Sequence, residues 1–139
     1  MKQFKRYIFI LSLMFIGMNA CAEIAIIVHL QNTVKLNKTD ISQLFLGQVS
    51  SFPNGAIAIP VALSRDNNSR EIFNETVLNK TENQYKAFWS RLVFTGKASP
   101  PSEFKDSSQL RDLVSKNPAF IGYIDSRRIN DTVKVIATF

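Results

Sequence analysis

The stretch that most constrains the fold is EIAIIVHL, residues 23–30. It is a short, continuous apolar run with several β-branched residues and no alternation of polar and apolar positions. A strand with one face in water alternates, whereas a strand covered on both faces does not. The run therefore predicts a strand of an α/β layer structure, packed between helices on the two sides of a sheet.

Three further segments are predicted as strands, namely residues 56–63, 119–124 and 132–139, which gives about four strands flanked by helices. Pro60 places an edge or a strand end within the second of them. The turns fall at 51–55 and 125–131, and a loop broken by Gly96, Pro100 and Pro101 spans 95–104. Helices are predicted from Asn37 or Thr39 to Gly47, from Ser69 onwards, from the Thr81–Gln84 capping box, and from about Ser107 to Lys116.

One helix carries most of the aromatic residues. Tyr85, Phe88, Trp89, Leu92 and Val93 recur at helical spacing, so that one face is strongly apolar. This spacing favours a core-facing stripe over an aromatic ligand cage, because burial alone accounts for it.

The first 22 residues are predicted to be a secretory signal peptide, followed by a single domain over 23–139. A basic start precedes the apolar run YIFILSLMFIGM and the small-residue sequence ACA at 20–22. Cleavage after Ala22 is favoured over a retained membrane anchor, because the run is short for a transmembrane helix. Lipid attachment at Cys21, the only cysteine, is the less favoured alternative, since MNAC fits a lipoprotein pattern poorly. A periplasmic location follows from this interpretation.

Composition argues against several functions. Loss of three basic residues with the leader lowers the formal charge from +6 to a mild +3, and no basic cluster is interleaved with aromatics, so no nucleic acid partner is expected. His29 is the only histidine and lies in an apolar strand, where a structural role is favoured. No metal-ligand cluster, phosphate loop or carboxylate pair is present, so we expect no cofactor, no metal and no enzymatic activity.

The segment SRDNNSREIF, residues 64–73, raises the question of anion binding. Ser69 could cap a helix or offer its hydroxyl to an oxyanion at the helix N-terminus, and Arg65 could reach across the same end. Arg70 in the first turn opposes the helix dipole, an effect that Glu71 offsets. A capped helix with a solvated loop is the alternative, and the residues alone leave both open.

Several stretches, taken in order, resemble a known family. The segments IAIIVHLQNTVKLNKTDISQLFLGQ, IAIPVALSRDNNSREIFNETVL, YKAFWSRLVFTGKASPP and NPAFIGYID are similar to parts of phosphate-binding periplasmic proteins that serve ABC importers. The likeness covers nearly all of 24–137. It implies one lobe of a type 2 periplasmic-binding-protein fold, whereas the full-length relatives trap their ligand between two lobes.

The resemblance also implies a site. An Arg and a Ser-Gly-Thr turn at a helix N-terminus hold the ligand in the family; the Arg falls on Arg65 and the Ser on Ser69, whereas the Gly and Thr have no counterpart. The candidate ligand-binding residues are Arg65, Asn68, Ser69 and Arg70. Lys35 and Lys38 in the neighbouring loop are secondary candidates, for which plain surface charges are favoured.

Two functions follow from these observations. The first is a periplasmic solute-binding-like protein that recognises phosphate or a similar oxyanion as part of phosphate uptake. Binding by one lobe is expected to be weak, so that a second copy in a homodimer or another exported protein would complete the site. The second is an interaction module without a ligand, which docks a membrane sensor or transporter through the same helix end or the aromatic helix. An exposed apolar patch would favour the second.

Overall fold

The computed structural model describes residues 21–139. Within this range, five strands form one sheet in the order β3-β2-β4-β1-β5, and four α-helices connect them. The strands are β1 Ile24–His29, β2 Ile59–Leu63, β3 Ser102–Phe104, β4 Phe120–Asp125 and β5 Val133–Thr138. The helices are α1 Lys38–Phe45, α2 Asn68–Thr76, α3 Glu82–Phe94 and α4 Ser107–Lys116, with a 3-10 turn at Ser126–Arg128.

The directions of the strands divide the sheet into two parts. Strand β2 runs parallel to both β3 and β4, whereas β1 runs antiparallel to β4 and β5. The predicted α/β class is confirmed, and all four predicted strands are present. The fifth, β3, lies in the segment that the sequence predicts as a loop. It is a short edge strand with exposed Ser102 and Glu103, so it gives no hydrophobic pattern and depends on pairing with β2.

Helices cover both faces of the central strands, as the apolar run of β1 predicts. Successive side chains of a strand point to opposite faces. In β4, Gly122 faces Leu110 of α4, while Tyr123 stacks on Phe73 of α2 with ring centroids 3.9 Å apart. Helix α4 therefore covers one face and α2 the other, and Phe45 of α1 joins the aromatic cluster of α2. The residues of β1 from Ile24 to Val28 are fully buried between these layers.

The helix N-termini follow their capping side chains. Asn37, one of the two predicted caps, begins α1 with a complete capping box, and the predicted Thr81–Gln84 box begins α3. The predicted start of α2 at Ser69 is wrong. Its cap is Asn67, whose Oδ1 accepts the Ser69 backbone N–H at 3.0 Å, so that Ser69 lies inside the first turn. Asparagine and serine are comparable caps, and the sequence did not distinguish them.

The aromatic stripe of α3 is only partly core. Tyr85 and Trp89 are buried and Phe88 and Leu92 are half-buried, as the spacing predicts. Val93, however, is 53% exposed, and so the prediction for this residue is wrong. The next residue, Phe94, is 92% exposed, so the last turn of α3 faces solvent.

The predicted leader, apart from its last two residues, lies outside the described residues. In the range 21–139, no helix combines the length and the apolar character needed to cross a membrane. His29 is half-buried at the end of β1, where its Nδ1 accepts the Gln31 backbone N–H at 3.1 Å.

Candidate functional site

The carboxyl ends of three parallel strands meet around one cavity. Strand β2 leads into the loop 64–67 and α2, β3 leads into α4, and β4 ends at Asp125 before the 3-10 turn. Because the three strands are parallel neighbours, these segments lie at the same edge of the sheet, where open α/β sheets bind ligands. The cavity between them has a volume of about 700 Å³. It is lined by Asp66, Asn67, Asn68, Ser69, Asp106, Ser107, Ser108, Arg111, Asp125, Arg127 and Arg128.

Two helix N-termini border this cavity, which we call the strand-end cavity. In α2, Asn67 caps Ser69 and also donates from Nδ2 to the Lys105 carbonyl at 3.3 Å, which joins the two loops. In α4, the cap residue Asp106 makes no side-chain hydrogen bond to the helix. The first turn of a helix has backbone N–H groups without intrahelical acceptors and a positive dipole end. Both features favour an anion at this edge.

Three arginines extend into the same region. Arg111 of α4 donates from Nη1 to the Arg128 carbonyl, and its buried Nε has no hydrogen-bond partner among the described residues. Arg127 forms a bidentate ion pair with Asp125, with Nε 2.9 Å from Oδ1 and Nη2 2.6 Å from Oδ2. These hydrogen bonds from Arg127 hold the pKa of the Asp125 carboxyl below its ordinary value.

The formal charges of the strand-end cavity balance. Three aspartates and three arginines line it, and one aspartate, Asp125, forms an ion pair with Arg127. Arg127 is 73% exposed, so this pair is well solvated. The cavity is thus open to solvent and bordered by helix ends and guanidinium groups, and its lining side chains carry no net formal charge.

The four residues predicted from the sequence are separated by the fold. Asn68 and Ser69 line the cavity, and Ser69 is buried. Arg65 is exposed on the same loop and is not among the lining residues. Lys38 lies with its Nζ 5.7 Å from the centroid of the Phe139 ring, away from the cavity, and Lys35 is exposed.

Arg70 points to the other side of α2, and the expectation that it contacts an anion in this cavity is corrected. Its guanidinium is buried, donates to the Leu63 carbonyl at 3.2 Å and forms ion pairs with Glu82 and Glu103. It also lies 4.8 Å from the centroid of the Tyr85 ring. Two carboxylates in α3 and β3 satisfy this cation, which removes the apparent conflict with the helix dipole.

Sequence reasoning missed the residues that other segments bring to the cavity: Ser107, Ser108, Arg111, Arg127 and Arg128. The sequence predicts a plain turn over 125–131. The signal that could have found them is strand direction, since loops that follow parallel neighbouring strands share an edge. That signal depended on recognising β3, which links β2 to the start of α4.

A second depression lies beside the exposed last turn of α3. It has a volume of about 500 Å³ and includes Tyr85, Trp89, Val93, Phe94 and Pro100 among its lining residues. Phe94 is 92% exposed. We call this surface the α3 groove; its apolar character distinguishes it from the strand-end cavity.

The described residues offer no metal centre. Within 21–139, no group of three or more histidine, cysteine, aspartate or glutamate side chains is close enough to hold an ion.

Solved structures with the same fold provide a comparison. A Clostridium perfringens protein, described as a phosphate ABC transporter substrate-binding protein and solved with bound phosphate, matches 83% of this chain with a TM-score of 0.65 and 24% identity. An ABC-type phosphate transport receptor from Vibrio cholerae matches 83% with a TM-score of 0.65 and 20% identity, and PstS from Borrelia burgdorferi matches 84% with 0.60 and 14%. No protein-family model and no curated protein sequence matches the chain.

The chain matches only part of each of these structures. The chain spans 45%, 46% and 47% of these three structures, which is about half of their length. At this level of identity the likeness concerns the fold alone. The layered sheet and these matches together show that the chain has the α/β fold that makes up about half of each of these structures.

Proposed function

We propose that this chain is a periplasmic solute-binding-like protein that binds phosphate or a similar oxyanion in the strand-end cavity. The observation that carries the proposal is the convergence of two helix N-termini and three arginines on the carboxyl ends of parallel strands. The fold shared with proteins named as phosphate receptors supports this ligand class. Asn68 and Ser69 contact the anion from α2, and Arg111 and Arg127 contact it from the opposite side. Arg65, exposed on the same loop, is the remaining candidate from the sequence.

The affinity of this open seat is expected to be low. Two to four charge-assisted hydrogen bonds contribute about 1.5–3 kcal/mol each, and immobilising the ligand costs at least about 4 kcal/mol. For about three bonds of about 2.5 kcal/mol each, the difference corresponds to a dissociation constant on the order of millimolar. A second surface, from another copy of the chain or from a second exported protein, would be needed for micromolar binding.

Calorimetric titration of the exported protein with inorganic phosphate tests the proposal. We expect saturable heat at millimolar phosphate, and a loss of affinity of about tenfold in Ser69→Ala and in Arg111→Gln, because each removes one charge-assisted contact. Arg91→Gln is the matched control, since it removes an equal charge from the exposed side of α3. Absence of heat at 20-fold the expected dissociation constant, or equal heats in all variants, would contradict the proposal.

Export and a role in transport are part of the same proposal. The basic, apolar and small-residue sequence of 1–22 supports cleavage by a signal peptidase. We expect the intact mass of the protein recovered from the periplasm to correspond to a chain that starts at Glu23. A mass larger by attached acyl chains, on a chain starting at Cys21, would contradict cleavage after Ala22. Association with an ABC importer would appear as phosphate uptake that depends on this protein.

The α3 groove favours a second candidate, an interaction module that docks a protein partner. Single exposed apolar residues are ordinary, but here Phe94 and Val93 lie side by side next to a depression that contains Trp89. Phe94→Asp should leave folding unchanged and abolish any association through this surface. Sedimentation of the wild type and this variant tests a homodimer, and co-purification of a membrane sensor or transporter with the wild type alone tests a heteromeric partner. A monomer that binds no such partner would contradict this second candidate.

A further inference from the structure

We infer that Asp125 is an internal competitor of the anion: in the ligand-free protein its carboxylate occupies the guanidinium of Arg127, and an oxyanion must displace it. This inference rests on the proposed function and adds to it a device that sets the affinity. It starts from the ion pair between Asp125 and Arg127 within the strand-end cavity.

The geometry of the pair is that of a bound oxyanion. The Arg127 Nε lies 2.9 Å from Asp125 Oδ1 and 3.2 Å from Oδ2, and Nη2 lies 2.6 Å from Oδ2. A guanidinium presents this same edge, with parallel N–H donors, to carboxylate and to phosphate. The edge of Arg127 that an anion would use is therefore already filled by Asp125.

The backbone fixes the competitor in place. Asp125 is the last residue of β4, its side chain is only 15% exposed, and its Oδ1 also accepts the Arg127 backbone N–H at 2.9 Å. Arg127, by contrast, is 73% exposed, so solvent surrounds most of its side chain. An exposed ion pair contributes little to stability, so an incoming anion opens it at small cost. On anion binding, the Arg127 side chain would therefore move and Asp125 would stay in place.

Substitution Asp125→Asn tests the inference, because the amide keeps an acceptor for the Arg127 backbone N–H and removes the charge. We expect phosphate to bind about three- to tenfold more tightly, since the guanidinium is released and a like charge is removed from the cavity. In an Arg127→Gln background, the same substitution should gain less than twofold. Asp66→Asn is the control: it removes a carboxylate from the same cavity, and no ion pair of Asp66 occurs in the described part of the chain.

The outcomes separate this inference from the proposed function. If the wild type binds phosphate and Asp125→Asn and Asp66→Asn increase the phosphate affinity equally, the loss of charge alone explains both increases. Competition by Asp125 is then contradicted. If no variant binds phosphate, the proposed function fails and the competitor with it. A ligand-free measurement is independent of both: the Arg127 Nε–H should exchange with water more slowly than that of Arg91 in nitrogen-edited NMR spectra, and Asp125→Asn should abolish the difference. Equal exchange in the wild type would overturn the pair itself.

Discussion

Arg70 of α2 and Glu82 of α3 form a bidentate ion pair, with Nε 3.1 Å from Oε2 and Nη2 2.9 Å from Oε1. The same guanidinium bonds Glu103 of β3 and the Leu63 carbonyl of β2. One buried side chain therefore connects two helices to the edge of the sheet. This accounts for an arginine in the first turn of a helix, where the dipole alone would disfavour it.

Arg70→Met should destabilise the fold without affecting anion binding. Removing one partner of a buried pair costs about 3–5 kcal/mol, but water can reach the Glu103 side chain, and so we expect a loss of about 2–4 kcal/mol in the free energy of unfolding. Urea denaturation measures the loss, with Arg91→Met as the control for charge and expected to change it by less than about 0.5 kcal/mol. Phosphate affinity should stay within about twofold. A large drop in affinity with unchanged stability would restore Arg70 to the binding site.

Gly122→Ala should be destabilising because α4 lies directly on β4 at this point. A Cβ at residue 122 would be 2.5 Å from Leu110 Cδ2 and 3.2 Å from Val61 Cγ2, and Leu110 is fully buried. Overpacking of this kind costs about 1–3 kcal/mol. The loss should shrink when Leu110→Val removes the nearest atom, which a double-mutant cycle in urea measures. Additive losses would mean that the layers do not meet where the structure places them.

The local parts of the fold could be predicted from the sequence, and the parts that depend on distant neighbours could not. The buried strand β1 and the capping box of α3 could both be recognised, because each depends only on residues that are close together in the sequence. Strand β3 has no such local pattern. Its residues are Ser102, Glu103 and Phe104, and they form a strand only by pairing with β2. Because β3 was not predicted, the position of the α4 N-terminus at the strand-end cavity could not be predicted either.

The same limit applies to the candidate site. Asn68 and Ser69 could be predicted because a helix N-terminus has a local pattern. Arg111 and Arg127 are 42 or more residues away in the sequence, and only the parallel order of β2, β3 and β4 brings them near. Arg70 shows the reverse error: its position in the first turn suggested a ligand contact, whereas two distant glutamates determine its direction.

Asn67→Ala and Ser69→Ala should separate capping from binding. Asn67 supplies the cap of α2 and a link to the Lys105 carbonyl, so its loss should cost about 1 kcal/mol of stability. Ser69 provides no cap, and Ser69→Ala should change stability by less than about 0.5 kcal/mol while it weakens phosphate binding. Thermal unfolding and phosphate titration of both variants measure the two effects. A reversed order of stabilities would make Ser69 the cap after all.

The two buried tyrosines of the described chain should make stability fall at alkaline pH. Burial raises the pKa of Tyr85 from 10.0 to about 12 and raises that of Tyr123 as well. Below pH 10 both states carry the phenol proton and the stability is complete; above it the unfolded chain loses protons that the folded chain retains, so stability declines as pH rises towards 12.

Each such tyrosine contributes a slope of up to about 1.4 kcal/mol per pH unit in this range. Urea unfolding at pH 9, 10 and 11 measures the decline, and absorbance at 295 nm should show no tyrosinate from these residues while the protein is folded. Tyr85→Phe supplies the control, because it retains the ring beside Trp89 and removes one titrating group. Its stability should fall less steeply between pH 10 and 11, and an unchanged slope would mean that Tyr85 ionises as freely in the folded protein as in the unfolded chain.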